Sequence, residues 1–598
     1  MKRAGVGVFV TIMLCSTWGL AQQADIAAKL GYPQTVLYNG KIVTMDDASF
    51  GPQVGTIAQA MAVRDGKILA TGTTAEVRAL AGPQTKQIDL KGRTVLPSFI
   101  MTHEHPTDWA LVDPKAMKRA VPNDLMTMRW LSGTPGEQIG QWETALKDLA
   151  ANAKPGQWVW LSFTWGPDFE NANELVQKFP QLVTRQKLDQ LVPNNPAHVR
   201  NAWPIGDQII VNSKGLEEAR KVHPDAGERI GRPLAPDVIY KGKIPALAEL
   251  LKAELEIWAS NGVTTFGSSP YAYGNFQALA HLDRKGEMPA RFAWGYTGSD
   301  MSFETLSYVA GLLGNGTDHL WNVGAWGGAG GSCTTINAKP EVKEKESCSF
   351  APGSRGRETL ERIIKSGGRI ATMHSYADKD IDYLMDGIEI ASREAGFTVD
   401  QIRAKRHAFD HASGAPRPDQ LPRIKTLGMM VSMINTVLWE DRTGYDMTFR
   451  VRDYGIEYAN WTVPRKSVND AGIMNTFEID RALPEKTFFF ILKGMTRFND
   501  KDQRVYGPAE RTDRITQLKA LTRWGGYYVL RENLLGTLEP GKFADFIILD
   551  RDFLTIPEEQ IPQTQVLMTV VGGRTVHLGS ALAREIGMTP VGSTTWPE

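Results

Sequence analysis

Hydrophobic and polar positions along this 598-residue chain fall into two textures. Between residues 34 and 95, short apolar runs alternate with turn signals. "TVLYNGKIVTM" and "AMAVRDGKILATG" set Asn39-Gly40 and Asp65-Gly66 between apolar stretches, the signature of two-residue β-hairpins. The same texture returns near the other end, in "GTLEPGKFADFIILD" and "VLMTVVGGRTVHLG". The long middle section is different. "IPALAELLKAELEIWASNG" has helical periodicity, stops at Asn261-Gly262 and is followed by the strand-like "VTTFGSS". "GRETLERIIKSGG" then "RIATMHS", and "PDQLPRIKTLG" then "MMVSMI", repeat the unit. Helices alternating with strands predict a parallel α/β architecture, and residues 96–533 are enough for a (β/α)8 barrel. A doubly wound sheet is the alternative, but no glycine-rich nucleotide loop supports it. "GAWGGAGG" lacks the required spacing and reads as a loop.

Composition narrows the functional classes. Hydrophobic residues make up 42% and charged residues 22%, ordinary for a globular protein. Basic and acidic residues balance at 67 each, so no overall field favours nucleic acid. Residues 1–21 have a basic start, an apolar middle and a small-residue end at Ala21, the pattern of a secretory signal peptide; an uncleaved anchor is the competing reading. No later segment approaches the roughly 20 apolar residues of a membrane span. The expectation is a periplasmic or secreted protein with no membrane association after cleavage. Beyond that segment the cysteines are Cys333 and Cys348, an even pair suited to a disulfide in an oxidising compartment.

Candidate chemistry rests on a few of the ten histidines. In "VLPSFIMTHEHPTDW", His103 and His105 follow an apolar strand and, two residues apart, face one side. "RIATMHSYADKD" supplies His374, "AKRHAFDHASG" supplies His411 or His407, and "AGIMNTFEID" supplies Asp480. In a barrel, the C-terminal ends of the strands meet at one mouth. Imidazoles with a carboxylate suit Zn2+, and also Mn2+, Fe2+ or Co2+.

These segments resemble the amidohydrolase superfamily, in the branch of N-substituted formamide deformylase-like hydrolases. The likeness runs from Thr35 to Val576 and is carried by "LYNGKIVTM", "DGKILATG" and "LGTLEPGKFADFIILDRDFL". It implies a distorted (β/α)8 barrel over 96–533, with arms 34–95 and 534–580 joined in a small β-sandwich. It also implies His103, His105, His374, His411 and Asp480 as the metal set, choosing His411 over His407. Asp480 becomes the general base, with His374 assisting. The implied activity is metal-dependent hydrolysis of an amide or related C–N bond, or an ester or lactone C–O bond, in a small molecule. An isomerase or decarboxylase on the same barrel, or a non-catalytic binding protein, is the alternative. The sequence departs from the family pattern at four places. Met101 replaces an aspartate, Ala377 replaces a glycine, and "HLWNVGAWGGAGG" holds no lysine where one bridges two metals, so one metal is favoured. Asp207 stands where relatives often have histidine. Asp378 reads as an orienting or structural carboxylate. Specificity is expected in the long loops "LVDPKAMKRAVPNDLMTMRW" and "NTVLWEDRTGYDMTFRVRDYGIEYANW", with Trp109, Trp165, Trp203 and Trp326 as candidates near the mouth.

Overall fold

The computed structural model describes residues 31–202, 208–227, 231, 234–298, 300–326, 333–375, 377–412, 414–439 and 447–596. The signal segment 1–21, Trp203, Asp207 and most of "GAWGGAGG" lie outside them. The chain is mixed α/β and divides into two compact units. One is drawn from Met1–Ile100, Trp258–Thr264 and Asp513–Glu598, the other from Met101–Ile257 and Thr265–Thr512.

The first unit joins the two β-rich arms through backbone hydrogen bonds. Phe546–Leu549 pairs antiparallel with Thr94–Pro97, which pairs parallel with Lys41–Val43, in a six-stranded sheet that also holds Val566–Val571 and Arg574–Leu578. A second sheet of four strands contains Thr35–Tyr38, Ala60–Arg64, Lys67–Gly72 and Lys86–Asp89. Leu37, Met61 and Ile68 from the four-stranded sheet share one apolar cluster with Ile42, Val95, Phe546 and Met568 from the six-stranded one. The Asp65-Gly66 hairpin is present, with φ of +51° and +75° as such a turn requires. The Asn39-Gly40 hairpin is not. Thr35–Tyr38 and Lys41–Val43 enter different sheets, and of the two central residues only Asn39 has positive φ. A hairpin turn of the predicted type needs it at both, so this dipeptide steers the chain from one sheet to the other.

Most of the alternating pattern lies in the second unit. A sheet runs in the order Leu320–Ala325, Arg291–Tyr296, Val263–Ser268, Phe99–Thr102. A parallel sheet of Ala408–Phe409, Met430–Ile434 and Asn475–Glu478 follows, buried on every residue as strands covered on both faces are. "RIATMHS" does not form a full strand. It makes single parallel bridges, Ala325 with Ile370 and His374 with Asp410, and so lies between the two sheets. The helix Arg355–Lys365 starts at Ser354, whose hydroxyl accepts from the Arg357 N–H, and buries Leu360, Ile363 and Ile364. These pack with Ile381, Leu384 and Ile388 of the Asp378–Glu394 helix.

Between the first and second strands of this alternation lies an insertion that periodicity did not predict. Met126–Trp130, Trp158–Phe163, Ala197–Asn201 and Ile209–Val211 form their own sheet over their own core, including Trp142, Leu161, Phe163 and Phe179. The segment taken as one long loop before it contains the helix Pro114–Ala120 and ends in the strand Met126–Trp130. Asp113 caps that helix by accepting from two backbone N–H groups, so a polar, proline-containing stretch is ordered by local capping rather than by an apolar stripe. The other expected loop contains Met447–Tyr454 and Ile456–Trp461 as helices. Among the described residues no helix is long and apolar enough to cross a membrane. Cys333 and Cys348 form a disulfide.

A candidate metal centre framed by buried carboxylates

The residues that follow the strand ends converge. Nitrogens of His103, His374 and His411 lie within 4.8 Å of one another. Their ring centroids are 4.3 to 4.7 Å apart, and the rings of His374 and His411 are stacked at 17°. His105 stands beside this triad, its ring 5.1 Å from that of His103. Its Nε2 is 3.0 Å from Asp480 Oδ1, and Asp480 Oδ2 is 3.8 Å from His411 Nε2. All five residues singled out in the sequence therefore occupy one neighbourhood. His407 is elsewhere in role: its Nδ1 accepts from the Ile370 N–H at 3.1 Å, and burial pushes its pKa down to about 3, a neutral core imidazole. Asp378 is fully buried and pairs with Arg417 at 3.2 Å.

Carboxylates that sequence reasoning missed hold the imidazoles in place. Asp410 Oδ2 lies 2.8 Å from His103 Nδ1, and Glu478 Oε2 lies 2.7 Å from His411 Nδ1. An ionised carboxylate only accepts, so each Nδ1 carries the proton and Nε2 keeps the lone pair a metal needs. Glu478 Oε1 also accepts from the His411 backbone N–H and the Ser432 hydroxyl, both at 2.7 Å. Glu104 accepts from the backbone N–H groups of Ile479 and Asp480. The signals were in the sequence. Asp410 immediately precedes His411, Glu478 is two residues before Asp480 at the end of an apolar run, and Glu104 sits between the paired histidines.

Backbone strain is concentrated at the same place. His103, His411, Asp480 and Thr372 have φ of +56°, +72°, +50° and +60°. None is glycine, and each such conformation costs on the order of 1–3 kcal/mol, held only where surrounding contacts over-determine it. Hydroxyls of Thr102, Ser432 and Thr476, hydrogen-bonded at 2.5 and 2.6 Å, supply part of that frame.

The electrostatics suit a cation. Glu104, Asp108, Asp410, Glu478 and Asp480 are each at most 7% exposed. Burial, with Asp480 next, drives the Glu104 carboxyl well above its ordinary range. Burial also opposes ionisation of Asp480, but His105, His411 and Arg481 outweigh it and hold that carboxyl below the usual range. Burial pulls His411 down, and Glu478 and Asp480 overcome it to leave the imidazole raised. Imidazole nitrogens backed by carboxylates, in a buried site rich in carboxyl groups, are a donor set that fits a divalent ion.

A family model described as "Amidohydrolase family" matches residues 86–577. The chain belongs to the amidohydrolase family. Membership makes it a metal-dependent hydrolase acting on C–N bonds. This amidohydrolase is 23% identical to an N-substituted formamide deformylase of Arthrobacter pascens, over 90% of this chain and 97% of that one. It is 22% identical to the protein LONG AFTER FAR-RED 3 of Arabidopsis thaliana, over 93% of each. Among solved structures, it is similar to an uncharacterized metal-dependent hydrolase from Pyrococcus horikoshii OT3, with a TM-score of 0.61 at 18% identity, covering 88% of this chain and 99% of that one. That likeness concerns the fold.

Near the site, the ring of the buried Trp109 lies 5.6 Å from His105 and that of Trp326 lies 6.1 Å from His374. Trp165 belongs to the core of the inserted sheet and donates to Asn201 at 2.8 Å.

Proposed function

We propose that this amidohydrolase is an exported enzyme that hydrolyses an amide at the histidine cluster, using one divalent cation and Asp480 as general base. The supporting observation is the convergence of His103, His374 and His411 on one point, with Asp410 and Glu478 fixing two of the three rings. These three imidazoles would hold the ion, with His105 and Asp480 completing the set from the adjacent side. Nitrogen and oxygen donors of this kind favour Zn2+, with Mn2+, Fe2+ and Co2+ as the alternatives. The strand Leu320–Ala325 holds no lysine to bridge a second ion, which supports a single metal.

A divalent ion at such a site supplies Lewis-acid polarisation of a carbonyl and lowers the pKa of water. Asp480 takes the proton of the attacking water and passes it to the departing nitrogen as the new C–O bond forms and the C–N bond breaks. Arg481, 3.1 Å from Asp480 Oδ2, and His105 keep that carboxylate ionised and aimed. Glu104 fixes the backbone under it.

The same reading extends to the fold. Counting "RIATMHS", eight parallel segments follow in chain order from Phe99–Thr102 to Asn475–Glu478, and the Thr102–Thr476 hydroxyl contact joins the last to the first. We take this as a closed, distorted (β/α)8 barrel, with the two sheets of the first unit as its β-sandwich. Residues 1–21 would direct export, in keeping with the Cys333–Cys348 disulfide.

Elemental analysis of purified protein, paired with an amide hydrolysis screen, tests the function. Asp480→Asn is expected to keep its metal while kcat falls by about 10²–10⁴-fold. Activity close to wild type in that variant removes Asp480 from the base role. Protein without a stoichiometric divalent ion after expression in metal-replete medium refutes the site.

A further inference from the structure

A cavity of about 490 Å³ opens beside the cluster, a volume within the range of small-molecule sites. Its walls carry the rings of Tyr271, Tyr273, Phe276, Trp294 and Tyr296. Tyr271 connects it to the chemistry. That ring lies 4.9 Å from the His105 ring and 5.8 Å from the Trp326 ring, and Trp326 in turn is 6.1 Å from His374. Tyr271 has φ of +52°, a left-handed conformation that a bulky residue adopts only under constraint, so the ring is placed rather than tolerated.

Two ionisable groups on the wall, His223 and Asp237, lie against each other. His223 Nε2 is 3.4 Å from Asp237 Oδ2, and Asp237 Oδ1 accepts the Gly274 N–H at 2.7 Å. A Cβ on Gly274 would come within 2.4 Å of the Pro236 carbonyl oxygen, so glycine is what lets this backbone approach and satisfy the carboxylate. One Asp237 oxygen is therefore taken by the Gly274 N–H and the other faces the His223 ring, and with its side chain only 6% exposed this carboxylate offers little to an incoming cation. Edge contacts such as Phe276 on Trp294, with centroids 5.0 Å apart, present faces and edges that favour another flat ring over an alkyl chain of equal area. Tyr273, 57% exposed at the rim, leaves a ring in water that an occupant would cover.

We propose that this cavity is the specificity pocket of the enzyme, and that its substrates are amides bearing an uncharged aromatic substituent. The inference rests on the hydrolase reading above and names the substrate class for the same site. Two matched pairs test it with the zinc-loaded full-length enzyme: N-(2-phenylethyl)acetamide against N-butylacetamide, and N-methyl-2-phenylacetamide against N-methylbutanamide. In at least one pair the aromatic member is expected to have a kcat/KM about tenfold or more higher. Phe276→Ala and Tyr273→Ala should lower the aromatic rate by about tenfold and the alkyl rate by less than about twofold. If Phe276→Ala fails to fold, Thr297→Trp, which fills the cavity from another wall, should cut the aromatic rate selectively. Hydrolysis of both members at equal rates in both pairs overturns the pocket and leaves the hydrolase reading standing. If no amide is hydrolysed, the hydrolase reading fails, and calorimetric titration of the two aromatic amides decides the pocket. Saturable binding that Tyr273→Ala weakens supports it, and no binding overturns it.

Discussion

Glu478→Gln probes the metal centre without touching a proposed ligand. Glu478 is fully buried, and three donors converge on its two oxygens: the His411 backbone N–H, the Ser432 hydroxyl and His411 Nδ1, each at 2.7 Å. Glutamine has nearly the same shape but only one oxygen. If that oxygen keeps the first two donors, the amide NH2 faces Nδ1, and the imidazole must move its proton to Nε2, the nitrogen a metal needs bare. If the amide turns over, the backbone N–H and the hydroxyl lose their acceptor inside the protein, at about 1–3 kcal/mol each. Either outcome weakens the cation site. Loss of a carboxylate that orients a histidine ligand typically costs about 10–100-fold in metal affinity, or about 1.4–2.8 kcal/mol. The assay is competition for Zn2+ against a chromogenic chelator, with circular dichroism of the metal-free protein to confirm its fold. The variant should lose affinity by that factor, and part of its activity should return at saturating Zn2+. An affinity within about twofold of wild type would refute the claim that Glu478 sets the His411 tautomer for metal binding.

Two further outcomes concern stability in the first unit. Glu585, held by Arg93 at 2.7 Å and Lys91 at 3.1 Å, has its pKa pulled by those two down to about 2 from 4.5. A lowered folded-state pKa stabilises at pH above 4.5, and the contribution is lost as pH falls towards about 2. The melting temperature of wild type should therefore exceed that of Glu585→Gln near neutrality, and the gap should close through that acid window; a gap independent of pH would contradict the pairing. Gly525→Ala would bring a Cβ within 2.7 Å of Ile100 Cβ and 2.9 Å of its Cγ2, and should destabilise by about 1–3 kcal/mol. A urea titration should show a lower midpoint at unchanged slope, and an unchanged midpoint would show that Ile100 moves aside freely.

The sequence by itself determined the alternation of helix and strand, because a helix such as Arg355–Lys365 writes its buried face into spacings of three and four residues. It also brought out the candidate side chains, since histidine and aspartate after apolar runs are chemically conspicuous, with the family resemblance choosing His411 over His407. Only the tertiary structure decided which of them share a point. His103 lies more than two hundred residues before His374 and His411 in the chain, and no local spacing encodes their meeting. The orienting carboxylates escaped for the same reason. Asp410 serves His103 and not its own neighbour His411, an exchange visible only once the strand ends stand side by side. The Asn39-Gly40 turn departs from the expected hairpin, and the inserted four-stranded sheet was not predicted, because strand pairing is settled by long-range hydrogen bonds, whereas periodicity reports only which residues are buried.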